Sequence, residues 1–275
     1  MRSNKGPGME LLSLAPEGLF PIASGGREAR SSIGLGVSGT LQGEGTLVGV
    51  PSLFLRLAGC NLRCQWALGG GQMVPCDTPT AQDVSQGHFV SVRKIVEDIV
   101  HYRGAVRHLV VSGGEPLLQR DGLQSLLERL RMASYGSPMH VTIESNGTIF
   151  SAEVSKLVDL MSISPKLMQR VAPGHQVEQT EYLGTLQHWI DARQKEGALQ
   201  LKFVVTSRGD GAKIRRVYLS RLTEWRPGMV CVMPAGASAE QLAETTPAAV
   251  EIAIRNGWRF SPRLHIALWG NRPGS

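Results

Sequence analysis

From about residue 50 the sequence alternates short apolar, β-branched runs with longer amphipathic ones, and this alternation constrains the fold more than any other feature. Runs at 52–57, 108–112, 139–144, 160–164, 199–205, 228–233 and 263–268 read as strands. Apolar residues at helical spacing mark 92–100, capped by Ser91, and further helices at 119–132, near 180–195 and at 239–255. Such alternation predicts an α/β fold, a mostly parallel sheet wrapped by helices. Parallel α/β layouts, open or barrel, carry their active sites at the carboxyl ends of the strands. Polar motifs follow predicted strands in five places: Cys60, Ser112-Gly-Gly-Glu-Pro116, Glu144-Ser-Asn-Gly147, Ser164-Pro-Lys166 and Met233-Pro-Ala-Gly236. Turn formation explains the Gly, Pro and Asn of these motifs. It does not explain the cysteines.

Cys60 and Cys64 form a Cys-x3-Cys pair, and Cys76 follows after a glycine-bearing stretch. Cys231 lies far away in an apolar run and reads as a small buried hydrophobe. A structural zinc site wants four ligands in two close pairs, which this spacing lacks. A disulfide framework belongs to small secreted chains, whereas this one has 275 residues. Three thiolates suit an iron–sulfur cluster better. Supplied to a four-iron cubane, they leave one iron open to a small molecule.

The chain is long enough to bury a substantial core as one large domain or two small ones. Apolar residues make up 42% and mean hydropathy is −0.07, and no apolar run approaches the roughly 20 residues that span a bilayer. Free cysteines without a secretion signal imply a cytoplasmic protein. The net charge of +6 comes from basic residues scattered singly and in pairs, so no direct nucleic-acid surface is expected. A small anionic substrate fits that charge. Residues 1–30 read as a peripheral extension, with a flexible start at 1–8 and a polar break at 24–29, ahead of the main domain at 31–275. Between those breaks, 9–15 reads as a short helix or strand.

The Cys-x3-Cys pair, an aromatic after it (Trp66), a third cysteine and a later Gly113-Gly-Glu-Pro116 resemble the radical S-adenosylmethionine (radical SAM) superfamily. Leu41-Gln-Gly-Glu-Gly45, Arg56, Cys76-Asp-Thr78, Glu144-Ser-Asn-Gly-Thr148, Ser164-Pro-Lys166 and a closing Ser261-Pro-Arg-Leu-His-Ile-Ala-Leu-Trp-Gly-Asn271 narrow the likeness. Together they resemble the 7-carboxy-7-deazaguanine synthases, in order from about residue 37 to the C-terminus. The resemblance implies a modified partial (β/α) barrel and a homodimer. It implies conversion of 6-carboxy-5,6,7,8-tetrahydropterin to 7-carboxy-7-deazaguanine with loss of ammonia, in queuosine, archaeosine or modified-guanine biosynthesis. It also implies a 4Fe-4S cluster, S-adenosyl-L-methionine, Mg2+ and an electron donor such as flavodoxin or ferredoxin.

Carried onto this sequence, the family pattern makes Cys60, Cys64 and Cys76 the cluster ligands and Thr78 the Mg2+ ligand. Trp66, Gly114, Glu115, Ser164, Pro165 and Lys166 fall along the S-adenosylmethionine site. Glu115 either helps hold the methionine ammonium or only stabilises its loop. Leu41, Gln42, Gly43, Arg56 and Ser112 match pterin contacts. Arg56 stands among apolar neighbours, where a charge must be paired, and its guanidinium suits a carboxylate. Glu44 is a ring-edge acceptor or a structural partner. His265 lies near the site or is a satisfied core histidine, and Lys202 faces the site or lies exposed on an edge strand.

The sequence departs from the superfamily's Cys-x3-Cys-x2-Cys spacing: Ala67 stands where the third cysteine is expected, and residues 67–75 read as a nine-residue insertion ahead of Cys76. Its glycines allow the loop to fold out and bring Cys76 back. Alternative readings are another radical SAM enzyme, such as a glycyl-radical activating enzyme, and a non-enzymatic metal-stabilised binding module.

Overall fold

The computed structural model describes residues 10–23, 30–68, 73–196 and 198–275. The expected flexible start, the 24–29 break and the 69–72 tip of the insertion lie outside the described residues.

Strands β1 (Leu11–Phe20), β2 (Thr40–Leu41) and β3 (Pro51–Leu57) precede a hairpin of β4 (Gln65–Ala67) and β5 (Met73–Pro75). Next come β6 (His88–Ser91), α1 (Val92–Tyr102), β7 (His108–Gly113), α2 (Arg120–Ala133), β8 (His140–Ser145), α3 (Ala152–Leu157) and β9 (Leu160–Ile163). The chain continues through α4 (Gln179–Glu196), β10 (Ala198–Val205), α5 (Asp210–Ile214), β11 (Val230–Pro234), α6 (Ala239–Asn256), β12 (Arg259–Phe260) and α7 (Leu264–Trp269). Among the described residues one ten-stranded sheet runs β12-β11-β10-β9-β8-β7-β3-β1-β6, with β2 on β3. From β3 to β12 neighbouring strands on this path are parallel, the layout of the modified partial (β/α) barrel. No helix among the described residues is long and apolar enough to cross a membrane.

Strand periodicity sorts the two faces of the sheet. Leu53, Leu55 and Leu57, Leu109 and Val111, Val141 and Ile143, and Leu201, Phe203 and Val205 share one large core with the helices. The intervening residues point to the concave face. At its floor Ser52 Oγ and Thr142 Oγ1 lie 2.7 and 2.8 Å from the two ring nitrogens of buried His108. This closes the amino end with a satisfied polar layer.

Two expectations are corrected. The first 30 residues are not wholly peripheral, because β1 lies between β3 and β6 with Leu12, Leu14, Ala15 and Phe20 buried. Gln119 pins it: Oε1 accepts from Ser13 N at 2.7 Å, while Nε2 donates to Ser13 O and Ala58 O, each at 2.9 Å. Residues 263–268 hold no strand. The place beside β11 is taken by β12, Pro262 ends that strand because it has no N–H to donate, and α7 follows. Only Ile266 is buried in α7.

Candidate active site

A cavity of about 350 Å³ lies at the carboxyl ends of the parallel strands. Its wall includes Cys60 after β3, Ser112, Gly113 and Gly114 at the end of β7, and Glu144 to Asn146 at the end of β8. Ser164 after β9 and Ala235 and Gly236 after β11 extend it, so all five strand-end motifs meet there. Cys64, Trp66, Cys76 and Thr78 border it from the cluster loop, Lys166 from beyond β9, and Leu41, Gln42, Gly43 and Arg56 from β2, β3 and the turn between them. Glu115 and Pro165 are not among the lining residues.

The insertion folds as a hairpin at its described ends. Gln65 pairs with Pro75, so the adjoining Cys64 and Cys76 lie side by side at its base. Leu62 N and Asn146 Nδ2 approach Cys60 Sγ at 3.5 and 3.9 Å. Burial pushes the Cys60 thiol up and the Cys64 thiol up to about 11, the latter against the pull of Lys166. Among the described residues no three His, Cys, Asp or Glu converge closely enough to hold a single ion. Three thiols spread around one cavity instead fit a cubane, whose irons occupy separate corners.

Glu115 does structural work. Its fully buried carboxylate accepts from Leu117 N at 3.0 Å, Asn146 N at 2.6 Å and Ser145 Oγ at 2.9 Å. These bonds tie the loop after β7 to the end of β8. Gly114 is needed for close packing between loops, since a Cβ there would stand 2.1 Å from Gly59 O.

The same cavity is bordered by a charged cluster drawn from β8, β10 and the loops that carry Glu44, Asp77 and Arg263. Lys202 Nζ donates to Glu44 Oε2 at 2.5 Å and lies 3.4 Å from Glu144 Oε1, with its side chain 5% exposed. Arg263 Nε lies 3.1 Å from Glu44 Oε1, and its guanidinium also binds Asp77 and the Gly236 carbonyl. Burial works against the Glu44 and Asp77 carboxylates, but Lys202 and Arg263 outweigh it for Glu44 and Arg263 for Asp77, so both titrate below the ordinary range. For Lys202, attraction to Glu144 and Glu44 overcomes burial and raises its pKa. Gln42 Nε2 reaches Glu144 Oε1 at 3.4 Å. His265 borders the cavity 4.0 Å from Glu44, with its pKa lowered by burial against that carboxylate. A Cβ on Gly43 would collide with its ring at 2.2 Å. Lys202 thus faces the site, and Glu44 borders the same cavity while paired with Lys202 and Arg263.

Sequence reasoning places Arg263 and Glu144 within motifs but gives neither a role of its own. Period-two alternation holds a signal for Glu144, which shares the inward parity of Thr142. For Arg263 the closing motif marks the position but not the ion pair, because its partner Asp77 is 186 residues away.

The Radical SAM superfamily model matches residues 55–172. A 7-carboxy-7-deazaguanine synthase from Rhodopirellula baltica is 36% identical over 85% of this chain and 85% of its own. One from Halobacterium salinarum is 35% identical over 85% of this chain and 89% of its own. Among solved structures, QueE from Escherichia coli superposes with a TM-score of 0.60 at 21% identity, covering 96% of this chain and 100% of that one. An anSMEcpe structure with bound AdoMet gives 0.52 at 15% identity, over 77% of this chain and 64% of that one. With the strand-end motifs gathered on one cavity and relatives of this likeness, the chain belongs to the 7-carboxy-7-deazaguanine synthase family of radical SAM proteins.

Proposed function

We propose that this protein converts 6-carboxy-5,6,7,8-tetrahydropterin to 7-carboxy-7-deazaguanine with loss of ammonia. The observation that carries the reading is that one cavity brings three cysteines together with Arg56 and a fixed set of charged and amide groups. The donor set fits the family's cofactors. Cys60, Cys64 and Cys76 would hold a 4Fe-4S cluster, and Gly114, Ser164, Lys166 and Trp66 would border S-adenosylmethionine. Once bound, the cluster and S-adenosylmethionine supply radical initiation. The chain's own residues bind and orient the pterin. Arg56 takes the substrate carboxylate by charge-assisted hydrogen bonds. Gln42 and Glu144, tethered to each other and to Lys202, offer amide and carboxylate groups to the ring edge. Their preset positions lower the ordering cost of binding.

Thr78 is assigned to Mg2+: its Oγ1 borders the cavity 3.4 Å from Cys76 Sγ, and a hydroxyl is a suitable hard ligand. Asp77 is engaged by Arg263, leaving Thr78 as the hard donor of that tripeptide. The reading includes a flavodoxin or ferredoxin donor, a homodimer and a cytoplasmic setting, the last supported by four unpaired thiols. The test is anaerobic turnover of protein reconstituted with iron and sulfide, given dithionite, S-adenosylmethionine, Mg2+ and the pterin. 7-Carboxy-7-deazaguanine is expected by mass spectrometry. 5′-Deoxyadenosine without that product would point to a different substrate.

A further inference from the structure

The carboxylate beside Arg56 is Glu17, on β1, in a segment where no motif stands out. Between the partners Leu14↔Leu57 and Leu19↔Leu55, β1 takes five residue steps against two on β3. A bulge of this kind re-aims a side chain, and here Glu17 borders the cavity. Thr80 Oγ1 donates to Glu17 Oε1 at 2.9 Å. The other oxygen, Oε2, is buried without a partner in a side chain 9% exposed.

Arg56 shows the complementary gap. Its guanidinium lies 5.0 Å over the Phe20 ring, and Nε is buried without an acceptor. Its Nη1 is 3.9 Å from Glu17 Oε1, too far for a hydrogen bond. An arginine–carboxylate pair that serves stability alone tends to close into a fork of two parallel hydrogen bonds. This pair stays open, with one acceptor and one donor unmatched, and buried polar atoms are costly to leave that way. Glu17 also stands on the wall of a smaller cavity bordered by His88, Asp98 and Tyr102, but Arg56 borders only the larger one.

The unmatched atoms call for a ligand with an acid group and a hydrogen-bond donor side by side. We infer that Glu17 is a specificity residue that contacts substrate: Arg56 takes the pterin carboxylate, and Glu17 Oε2 accepts from the neighbouring N5–H. The inference rests on the pterin reading above. In 6-carboxy-5,6,7,8-tetrahydropterin N5 carries a hydrogen and is bonded to C6, the carbon that bears the carboxylate. In oxidised 6-carboxypterin N5 has no hydrogen and presents a lone pair, which Glu17 repels. The site therefore selects the reduced ring through Glu17 and the acid through Arg56.

The test is anaerobic equilibrium binding of both pterins to reconstituted wild-type, Glu17→Gln and Arg56→Gln holoprotein with S-adenosylmethionine and Mg2+. Wild type is expected to prefer the reduced ring by about tenfold to a hundredfold, the worth of one hydrogen bond to a charged group. Glu17→Gln, whose amide can donate to N5, should narrow that ratio by about tenfold or more. Arg56→Gln should weaken both pterins alike and keep the ratio. An unchanged ratio in Glu17→Gln overturns the Glu17 assignment and leaves the pterin reading standing, whereas a wild type that binds neither pterin overturns both. If Glu17→Gln does not fold, Glu17→Asp retracts the oxygen and keeps the charge. It should then weaken only the reduced pterin, and equal weakening of both overturns the assignment.

Discussion

Replacing Lys202 with methionine tests the charged cluster that forms one wall of the cavity. Methionine keeps most of the apolar stem and deletes the ammonium that donates to Glu44 at 2.5 Å and lies 3.4 Å from Glu144. Removing one partner of a buried pair costs about 3–5 kcal/mol. Here Glu44 keeps Arg263 at 3.1 Å and Glu144 keeps the Gln42 amide at 3.4 Å, so the lower bound of about 3 kcal/mol applies. With an unfolding entropy of about 2.1 cal/mol/K per residue, 275 residues give about 0.6 kcal/mol/K, and Tm should fall by about 5 °C. Differential scanning calorimetry at pH 7 reads this directly. The pH dependence supplies a second check. Because Glu44 titrates below its ordinary range, its stabilising contribution is present above about pH 4.5 and is lost as pH falls through the lowered value. Lys202 supplies part of that lowering, so the gap between wild type and Lys202→Met should shrink on acidification from pH 5. A Tm change below about 1 °C at pH 7, or a gap that widens towards acid, would refute the reasoning.

Cys76→Ala should reduce iron bound after reconstitution to background while far-UV circular dichroism is unchanged. Full iron retention would show that Cys76 is not a ligand. Burial pushes Glu115 up to about 7 against the hydrogen bonds from Asn146, Leu117 and Ser145. A raised acid pKa means stability is fully present below about pH 4.5 and is lost as pH rises to about 7. Wild type should therefore lose stability relative to Glu115→Gln across that window, by at most about 1.4 kcal/mol per pH unit, in urea titrations. A constant difference between the two proteins would sink this account.

Much of the fold is legible before any tertiary contact is considered. Hydrophobic period and capping locate α1, α2, α4 and α6 within a few residues, because both are properties of neighbouring positions. The strand-end motifs are legible for the same reason, and parallel topology then obliges them to share one end of the sheet. Short elements escape: β6, α3 and α5 carry too few residues for a period to emerge. The 264–269 run illustrates the limit, since a six-residue apolar stretch fits strand or helix equally and the occupied sheet edge decides. Lys202 sits between a cavity-facing and an exposed reading until its strand has neighbours on both sides.

Residue type and spacing alone determine the three cysteines, the α/β class and the family to which the motifs point. Tertiary structure decides which charges meet. Arg263 reaches Asp77, Lys202 reaches Glu44 across 158 positions, and a bulge in β1 sets Glu17 beside Arg56. The reason is physical: period and capping act between residues one or two turns apart. Ion pairs across a cavity depend instead on strand order, register and bulges, which exist only once the whole sheet has formed.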